Sequence, residues 1–181
     1  MAEVVVPEPQ GPVDPAADPA AGAPPDDRPP GPVERLRFLL AARAVRAVAP
    51  EPESWLDVNC GGGHFCEAAK AYFPYTAFDG LDVTPLVEVA LAAGRVEEAH
   101  RGLPDDPAVA ARLTGRYDVV SLRGVRPRPD GLRALRALLR PDGHLLLDPA
   151  PACPGDVAAA GYRVLPPRPW RPWQPLLARA T

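Results

Sequence analysis

The chain has 181 residues, enough for one ordinary domain with a packed core and too few for two. Its formal charge of −3 is uneven, because the first 34 residues hold seven acids and one arginine, a charge of −6, so the rest carries +3. So mild a positive balance argues against a dedicated nucleic-acid binder. Three cysteines without a C-x-x-C spacing predict neither a disulfide framework nor a metal site. We expect a cytoplasmic protein, since no signal-peptide pattern or long apolar stretch occurs.

Residues 1–32 are mostly Pro, Ala, Gly and Asp, with almost no large apolar side chains. Such a segment cannot offset its chain entropy by burial, which predicts a disordered acidic tail. The pattern changes at Val33, where apolar residues such as Leu36 and Leu40 recur at helical spacing until Pro50 ends the run. The sequence therefore predicts an amphipathic helix that opens a domain of residues 33–181.

Short apolar runs alternate with helical patterns after Pro52. The predicted strands are residues 54–58, 76–81, 96–101, 117–122 and 144–148, and the predicted helices are residues 64–72, 85–92, 108–113 and 131–139. A turn at residues 141–143 (PDG) is expected to introduce the fifth strand. This alternation predicts βαβ units and a parallel sheet.

The end of the chain has a different pattern. A short helix at residues 155–160 is followed by two apolar runs, 162–165 and 176–180, with a proline-rich connection between them. Prolines suit a sheet edge, where a missing donor costs least, so we predict a C-terminal β-hairpin at an edge. Trp170 and Trp173 in the connection are interpreted as covering that edge in preference to capping a substrate pocket.

The central feature is a strand that runs into a glycine turn and then a helix, residues 55–65 (WLDVNCGGGHF). A turn of this kind lets a ligand approach the backbone and presents the amides of the helix start. About 19 residues beyond Gly63, Asp82 ends the second strand, where an acid accepts hydrogen bonds from ribose hydroxyls in doubly wound sheets. Asp79 is the alternative acid if the strand register is shifted. The pattern predicts a nucleotide-like ligand.

Two common nucleotide motifs do not fit this turn. A dinucleotide fingerprint beginning at Gly61 needs a third glycine where Cys66 stands. A phosphate-binding loop needs a glycine before Lys70 and a serine or threonine after it, and neither is present. The nucleotide is therefore of another kind.

The turn resembles the first motif of the class I S-adenosylmethionine-dependent methyltransferases, which reads acid-x-Gly-x-Gly-x-Gly. Asp57 stands at the acid, Asn59 at the first glycine, and Gly61 and Gly63 at the other two. The later motifs of that family are similar to residues 82–85 (DVTP), 116–121 (RYDVVS), 138–147 (LLRPDGHLLL), 161–164 (GYRV) and 176–180 (LLARA). The resemblance thus covers nearly all of residues 54–181.

This resemblance implies a Rossmann-like, seven-stranded, mostly parallel sheet with helices on both faces, and S-adenosylmethionine as cofactor. It implies that Gly61 and Gly63 face the methionine and adenosine portions, that Asp82 binds the ribose, and that residues 101–104 lie near the adenine. The implied cofactor-binding residues are Asp57, Asn59, Gly61, Gly63, Asp82, Gly102, Leu103 and Ser121. Asn59 departs from the family glycine, but asparagine tolerates a left-handed backbone better than most residues.

Methyl transfer from a sulfonium is an in-line displacement, so the protein mainly aligns donor and acceptor and excludes water. The candidate catalytic residues are His64, beside the turn, and Arg123. Together with Arg126, Arg123 is a candidate for binding an anionic substrate. His64 is also readily explained as a structural residue, and Arg123 as part of an exposed basic loop. His100 and His144 fall inside strands and are interpreted as satisfied imidazoles.

The sequence therefore predicts a methyltransferase that acts on a small molecule. The alternative is a catalytically silent Rossmann-like protein that binds S-adenosylmethionine or works through partners. A third hypothesis, an arginine-rich methyltransferase that binds RNA, needs a basic groove that the mild charge does not provide.

Overall fold

The computed structural model describes residues 27–148, 154–166 and 175–181, in which seven strands form one sheet. In chain order the strands are β1 (Ser54–Val58), β2 (Ala77–Asp82), β3 (Glu98–Arg101), β4 (Tyr117–Arg123), β5 (Leu139–Asp148), β6 (Tyr162–Val164) and β7 (Leu176–Ala180). Their order across the sheet is β3-β2-β1-β4-β5-β7-β6. The first five strands are parallel, whereas β7 pairs antiparallel with both β5 and β6. The predicted fold class and C-terminal hairpin are confirmed.

In the described part of the chain, six helices cover the two faces of the sheet. They are α1 (Pro32–Arg46), α2 (His64–Ala69), α3 (Leu86–Ala92), α4 (Pro107–Leu113), α5 (Pro129–Leu138) and α6 (Pro154–Ala159). One apolar cluster joins α1, α2 and α3 to the sheet through buried side chains such as Phe38, Phe65 and Ala90. A second cluster joins α4, α5 and α6 to the opposite face through Leu113, Leu135 and Val157. Both faces are thus covered, as parallel sheets require.

The fifth strand begins earlier than the sequence predicts. Leu139 already pairs with Tyr117, and the register then shifts before His144 pairs with Val119. Between these two pairs Pro141 has no backbone N–H to donate, and Asp142 has φ 65°. Residues 140–143 therefore form a bulge inside the strand, where a turn before the strand was predicted.

The second helix ends earlier than predicted, at Ala69. After it the backbone N–H of Tyr72 and that of Phe73 both donate to the carbonyl of Ala69 in a tight turn. The ring of Phe73 lies 5.3 Å from that of Trp55, measured between centroids. Packing of Phe73 on β1, just before Pro74, ends the helix.

Some sequence predictions fall on residues outside the described parts. Residues 1–26 of the predicted tail, Cys153, Trp170 and Trp173 are among them. The last residues of the predicted tail are described, and there Asp27 contacts His64 and Arg95. Within the described residues, no helix is long and apolar enough to cross a membrane.

The strand order reverses at β1, which creates a topological switch point between β1 and β4 at the carboxyl ends of the strands. The chain runs outward from β1 to β2 and β3, then returns to the other side of β1 as β4. In open α/β sheets, ligands bind in the crevice outside the carboxyl ends of the strands at such a point. The glycine turn, residues 59–63, follows β1 directly at this edge.

Candidate functional site

The turn after β1 is built from left-handed backbone. Asn59, Gly61 and Gly63 have φ values of 60°, 52° and 75°. A Cβ on Gly63 would lie 2.8 Å from Cβ of Ala90 in α3, whereas a Cβ on Gly61 would meet open space. Gly63 thus lets α3 pack closely on the turn, while Gly61 leaves room at the edge of the sheet.

Asn59 adopts the left-handed conformation expected of it. Its side-chain Nδ2 donates to the carbonyl of Arg123 at 3.2 Å, which ties the turn after β1 to the end of β4. The side chain is exposed and lines the cavity at this edge of the sheet. The asparagine therefore keeps the backbone of the turn while occupying space beside the ligand site.

Asp82 ends β2 and holds the turn in place. Its Oδ2 accepts from the backbone N–H of Gly61 at 2.7 Å, and its Oδ1 accepts from the backbone N–H and the hydroxyl of Thr84 at 2.8 and 2.7 Å. The side chain is 5% exposed. Since a carboxylate oxygen accepts two hydrogen bonds, Oδ2 has capacity for one more donor.

Asp79 lies further back in β2 and serves another purpose. It accepts from the Tyr117 hydroxyl at 2.8 Å and from the backbone N–H of Glu98 at 3.1 Å. It does not line the cavity at the carboxyl ends of the strands. The structure thus places Asp82, and not Asp79, at the carboxyl end of the strand.

A cavity of about 530 Å³ opens at the carboxyl ends of β1, β2 and β4. This is the size of an ordinary small-molecule site. Four of the predicted cofactor residues line it, namely Asn59, Asp82, Gly102 and Leu103. Its other walls include Pro104, from residues 101–104 that the resemblance placed near the adenine, and Val83, from the motif at residues 82–85. They also include residues for which the sequence predicted no cofactor contact, namely Asp105, Leu122, Val125, Arg128, Asp130, Gly131 and Leu135.

Asp57 and Ser121 lie next to one another beneath this edge, outside the cavity lining. The Ser121 hydroxyl donates to Oδ1 of Asp57 at 2.6 Å and accepts from Nε1 of Trp55 at 2.8 Å. Asp57 is 1% exposed, and its Oδ2 has no hydrogen-bond partner among the described residues. Burial raises the pKa of Asp57, although the nearby Arg123 guanidinium and the Ser121 hydroxyl act to lower it.

Arg123 fills the space next to Asp57. Its guanidinium lies 4.1 Å from the ring centre of Phe38 and 4.2 Å from that of Phe65, a double cation–π contact. Its Nε is 4.0 Å from Oδ1 of Asp57. Arg126, the second arginine predicted to hold a substrate, is exposed in the loop that follows. The structure therefore separates the two arginines, with Arg123 inside the protein and Arg126 at the surface.

His64 is not among the residues that line the cavity. Its Nε2 lies 2.9 Å from Oδ1 of Asp27, and Nη1 of Arg95 donates to Oδ2 of the same carboxylate at 2.6 Å. These partners attract the Asp27 charge, and its pKa is lowered even though burial acts to raise it. The contacts of His64 favour a role in fastening the segment before α1 to the glycine turn.

The remaining histidines lie in strands, as expected. Burial lowers the pKa of both His100 and His144, so the neutral imidazole is favoured. His100 is 6% exposed in the edge strand β3. Among the described residues, no histidine lines the cavity.

A single sequence contains no pattern that marks several of the residues around Arg123 and the cavity as functional. Phe38 and Phe65 read as core residues at helical spacing, and only the folded arrangement brings them to Arg123. The cavity walls in α5 have the same limitation, because the apolar face of α5 is the ordinary pattern of a packed helix. The exposed Val83, Leu103 and Val125 offered a weak signal as apolar residues in loops at strand ends.

A sequence profile of a methyltransferase domain family matches residues 33–174, well over half of the chain. No curated protein sequence matches the chain.

Solved methyltransferases have a similar fold. A carbon methyltransferase aligns with a TM-score of 0.66 at 14% identity, over 84% of this chain and 56% of that one. An amino pentose methyltransferase of calicheamicin biosynthesis from Micromonospora echinaspora, solved with bound S-adenosylmethionine, aligns with a TM-score of 0.60 at 18% identity, over 81% and 91%. Human N-acetylserotonin methyltransferase, also solved with that cofactor, gives 0.56 at 15% identity, over 82% and 56%. The chain spans 56% of the length of two of these three proteins.

Proposed function

The chain belongs to the class I S-adenosylmethionine-dependent methyltransferases, and from this premise we propose that it transfers a methyl group from S-adenosylmethionine to a small-molecule acceptor. The observation that carries the proposal is the cavity at the carboxyl ends of β1, β2 and β4, with Asp82 in its wall and the glycine turn beside it. We assign this activity to a domain of residues 33–181.

The residues around the cavity fit the adenosyl part of this cofactor. Oδ2 of Asp82 has room for one more donor, which suits a ribose hydroxyl. The exposed side chain of Leu103 and the adjoining Gly102 provide an apolar wall for the adenine. We propose that Thr84 shares the Asp82 carboxylate with the ribose, because its amide and hydroxyl already occupy Oδ1.

The methionine part fits the neighbourhood of Asp57. The unpaired Oδ2 of this buried carboxylate is an acceptor in need of a donor, and an ammonium group is such a donor. Gly61 leaves open space in the same turn, while Ser121 fixes the carboxylate through Oδ1. We propose that Asp57 binds the ammonium, with Ser121 orienting it.

The chemistry asks little of the protein beyond alignment. S-Adenosylmethionine supplies a methyl group bonded to a sulfonium sulfur, and a nucleophile of the acceptor attacks the methyl carbon in line with the leaving sulfur. The residues of this chain hold the acceptor and exclude water from the cavity, whose apolar walls include Leu122, Val125 and Leu135. Because no histidine among the described residues lines the cavity, we propose that alignment contributes most of the rate enhancement and that His64 is a structural residue.

The polar part of the cavity rim is suited to a small acceptor. Asp105, Arg128 and Asp130 are exposed there and offer both signs of charge to polar groups of a ligand. The volume of about 530 Å³ is that of a small-molecule site. Two of the similar structures have names that refer to small acceptors, an amino pentose and N-acetylserotonin.

Calorimetric titration tests the cofactor site. S-Adenosylmethionine and S-adenosylhomocysteine are titrated into wild type, into Asp82→Ala, and into the control Glu97→Ala, an exposed acid outside the cavity lining. We expect wild type and the control to bind alike, and Asp82→Ala to bind at least about tenfold more weakly. Absence of binding by wild type would contradict the proposal. Circular dichroism checks that Asp82→Ala remains folded, since Asp82 also holds Gly61 and Thr84.

A second candidate function is a silent protein that binds the cofactor without turnover. Asn59 in place of the family glycine favours it, because the side chain lines the cavity. Assay of S-adenosylhomocysteine formation over a panel of small hydroxyl, amine and carbon acceptors separates the two. Turnover on any acceptor supports methyl transfer, and binding without turnover supports the silent protein.

A further inference from the structure

Two neighbouring strands bring three metal-ligating side chains together, away from the cavity. Asp79 of β2 is paired with Glu98 of β3, and His100 follows two residues later on the same face of the strand. The ligand atoms of the three side chains all lie within 4.8 Å of one another. None of the three lines the cavity. The cluster is thus separate from the proposed cofactor site.

The imidazole of His100 is the observation that marks this cluster as a ligand site. The side chain is 7% exposed, and its Nε2 has no hydrogen-bond partner among the described residues. Oε2 of Glu98 lies 3.4 Å from this nitrogen. A buried ring nitrogen is ordinarily satisfied, and this one lies beside two carboxylates, so the three side chains together offer a set of metal ligands.

The carboxylates are placed to serve the same partner. Asp79 is fixed by the Tyr117 hydroxyl on one oxygen and by the Glu98 amide on the other, and each oxygen retains a lone pair. Glu98 is half exposed, and the contacts of its carboxylate with Arg116 and with Nε2 of His100 are both long, at 3.4 Å. Its side chain therefore adjusts at little cost, while Asp79 and His100 are held by the sheet.

We propose that Asp79, Glu98 and His100 bind one divalent first-row transition cation of the Zn²⁺ class, which links the edge strand β3 to β2. One imidazole nitrogen and two carboxylate oxygens are ligands that Zn²⁺ accepts in tetrahedral geometry, with water in the fourth position. The hard cations Mg²⁺ and Ca²⁺ are disfavoured, because they require a shell made of oxygen. On binding, Glu98 exchanges Arg116 for the metal.

Titration of Zn²⁺ alone into the full-length protein tests the proposal. We expect one saturable site in wild type, with binding at least about tenfold weaker in Glu98→Gln and in His100→Gln. Glu98→Gln is the decisive variant, because its half-exposed side chain is changed without disturbing the core. Zn²⁺ should also raise the unfolding temperature of wild type and not that of Glu98→Gln.

Two control variants isolate the cluster. Arg116→Gln removes the competing partner of Glu98, so its affinity for Zn²⁺ should equal or exceed that of wild type. His144→Gln removes the other strand histidine and should leave binding unchanged. The proposal is overturned if wild type does not bind Zn²⁺, or if Glu98→Gln and His100→Gln bind it as tightly as wild type does. These outcomes are independent of cofactor binding.

Discussion

The two acids at the carboxyl edge of β1 and β2 lie in contrasting surroundings. Asp82 faces an open cavity and has its carboxylate occupied by the backbone of Gly61 and by Thr84. Asp57 is enclosed by side chains, with Arg123 held between two phenylalanine rings beside it and one oxygen unpaired. We call the surroundings of Asp82 the open half of this edge and those of Asp57 the enclosed half. The open half is thus made by local turns, and the enclosed half by packing between distant segments.

One edge of the sheet thus combines an open cavity with a closely packed region beside it. Side chains in the loops of the open half, such as the exposed Leu103, contribute little to the core. The enclosed half includes the fully buried side chains of Trp55 in β1 and Phe65 in α2.

The largest expected difference is in stability. Phe65→Ala removes a fully buried ring that contacts Trp55, Phe38 and Arg123, and should lower the free energy of unfolding by about 3–5 kcal/mol. Leu103→Ala, in the open half, should lower it by less than about 1 kcal/mol, because the side chain is 55% exposed. Urea unfolding of both variants measures the difference. Equal losses would show that the two halves are not distinct.

A smaller effect is expected from the arginine between the rings. Arg123→Met keeps an apolar stem but leaves Asp57 without its cation, at a cost of about 2 kcal/mol in the free energy of unfolding. Arg126→Met, in the loop that follows β4, is the matched control, and loss of its exposed side chain should change stability by less than about 0.5 kcal/mol. If Arg123→Met were as stable as its control, the cation–π contacts and the pairing with Asp57 would together contribute nothing measurable.

The charge of Asp57 should appear in the pH dependence of stability. Because burial raises the pKa of Asp57, the folded state binds the proton more tightly than the unfolded state does. The stability that this proton binding gives to wild type is therefore lost as the pH rises above 3.8, the ordinary pKa of an aspartic acid. Asp57→Asn lacks the titration, so its stability should improve relative to wild type over that range, by at most about 1.4 kcal/mol per pH unit. Denaturant unfolding between pH 4 and 7 measures the trend. The exposed Asp130→Asn should run parallel to wild type.

The smallest change is expected at Asn59. Its φ of 60° suits glycine, so Asn59→Gly loses only the hydrogen bond to Arg123 and should alter the free energy of unfolding by about 1 kcal/mol or less. Removing a side chain from the cavity wall should tighten binding of S-adenosylhomocysteine severalfold. Calorimetry measures this. A weaker affinity in the glycine variant would instead show that the asparagine contacts the ligand.

Local sequence patterns predicted much of the fold. Residues 54–58 were predicted as a strand and form β1, and the order of strands and helices follows from the alternation of apolar periods. Four of the eight residues implied as cofactor ligands line the cavity, because they lie in turns at strand ends that glycines and an acid mark in the sequence. These features depend on neighbours in the chain, which a sequence displays.

The features that sequence analysis missed depend on neighbours in space. The bulge in β5 arises from pairing of Leu139 with Tyr117 before the predicted turn, and no local pattern encodes that register. Asp79 was weighed as a ribose-binding acid, yet it accepts from Tyr117 of another strand. Likewise, His100 was expected to be a satisfied imidazole, and only the structure shows its unpaired nitrogen.

The contact of Arg123 with Phe38 has a consequence for the order in which the protein is assembled. During synthesis α1 emerges first, but its phenylalanine finds the guanidinium only after β4 is complete. Until then β1 has β2 on one side and an unpaired edge on the other, with Trp55 lacking its hydrogen bond to Ser121. Such an edge invites pairing with other chains. An intermediate in which β1 is paired with β2 and not yet with β4 is therefore exposed to misassembly at this strand edge.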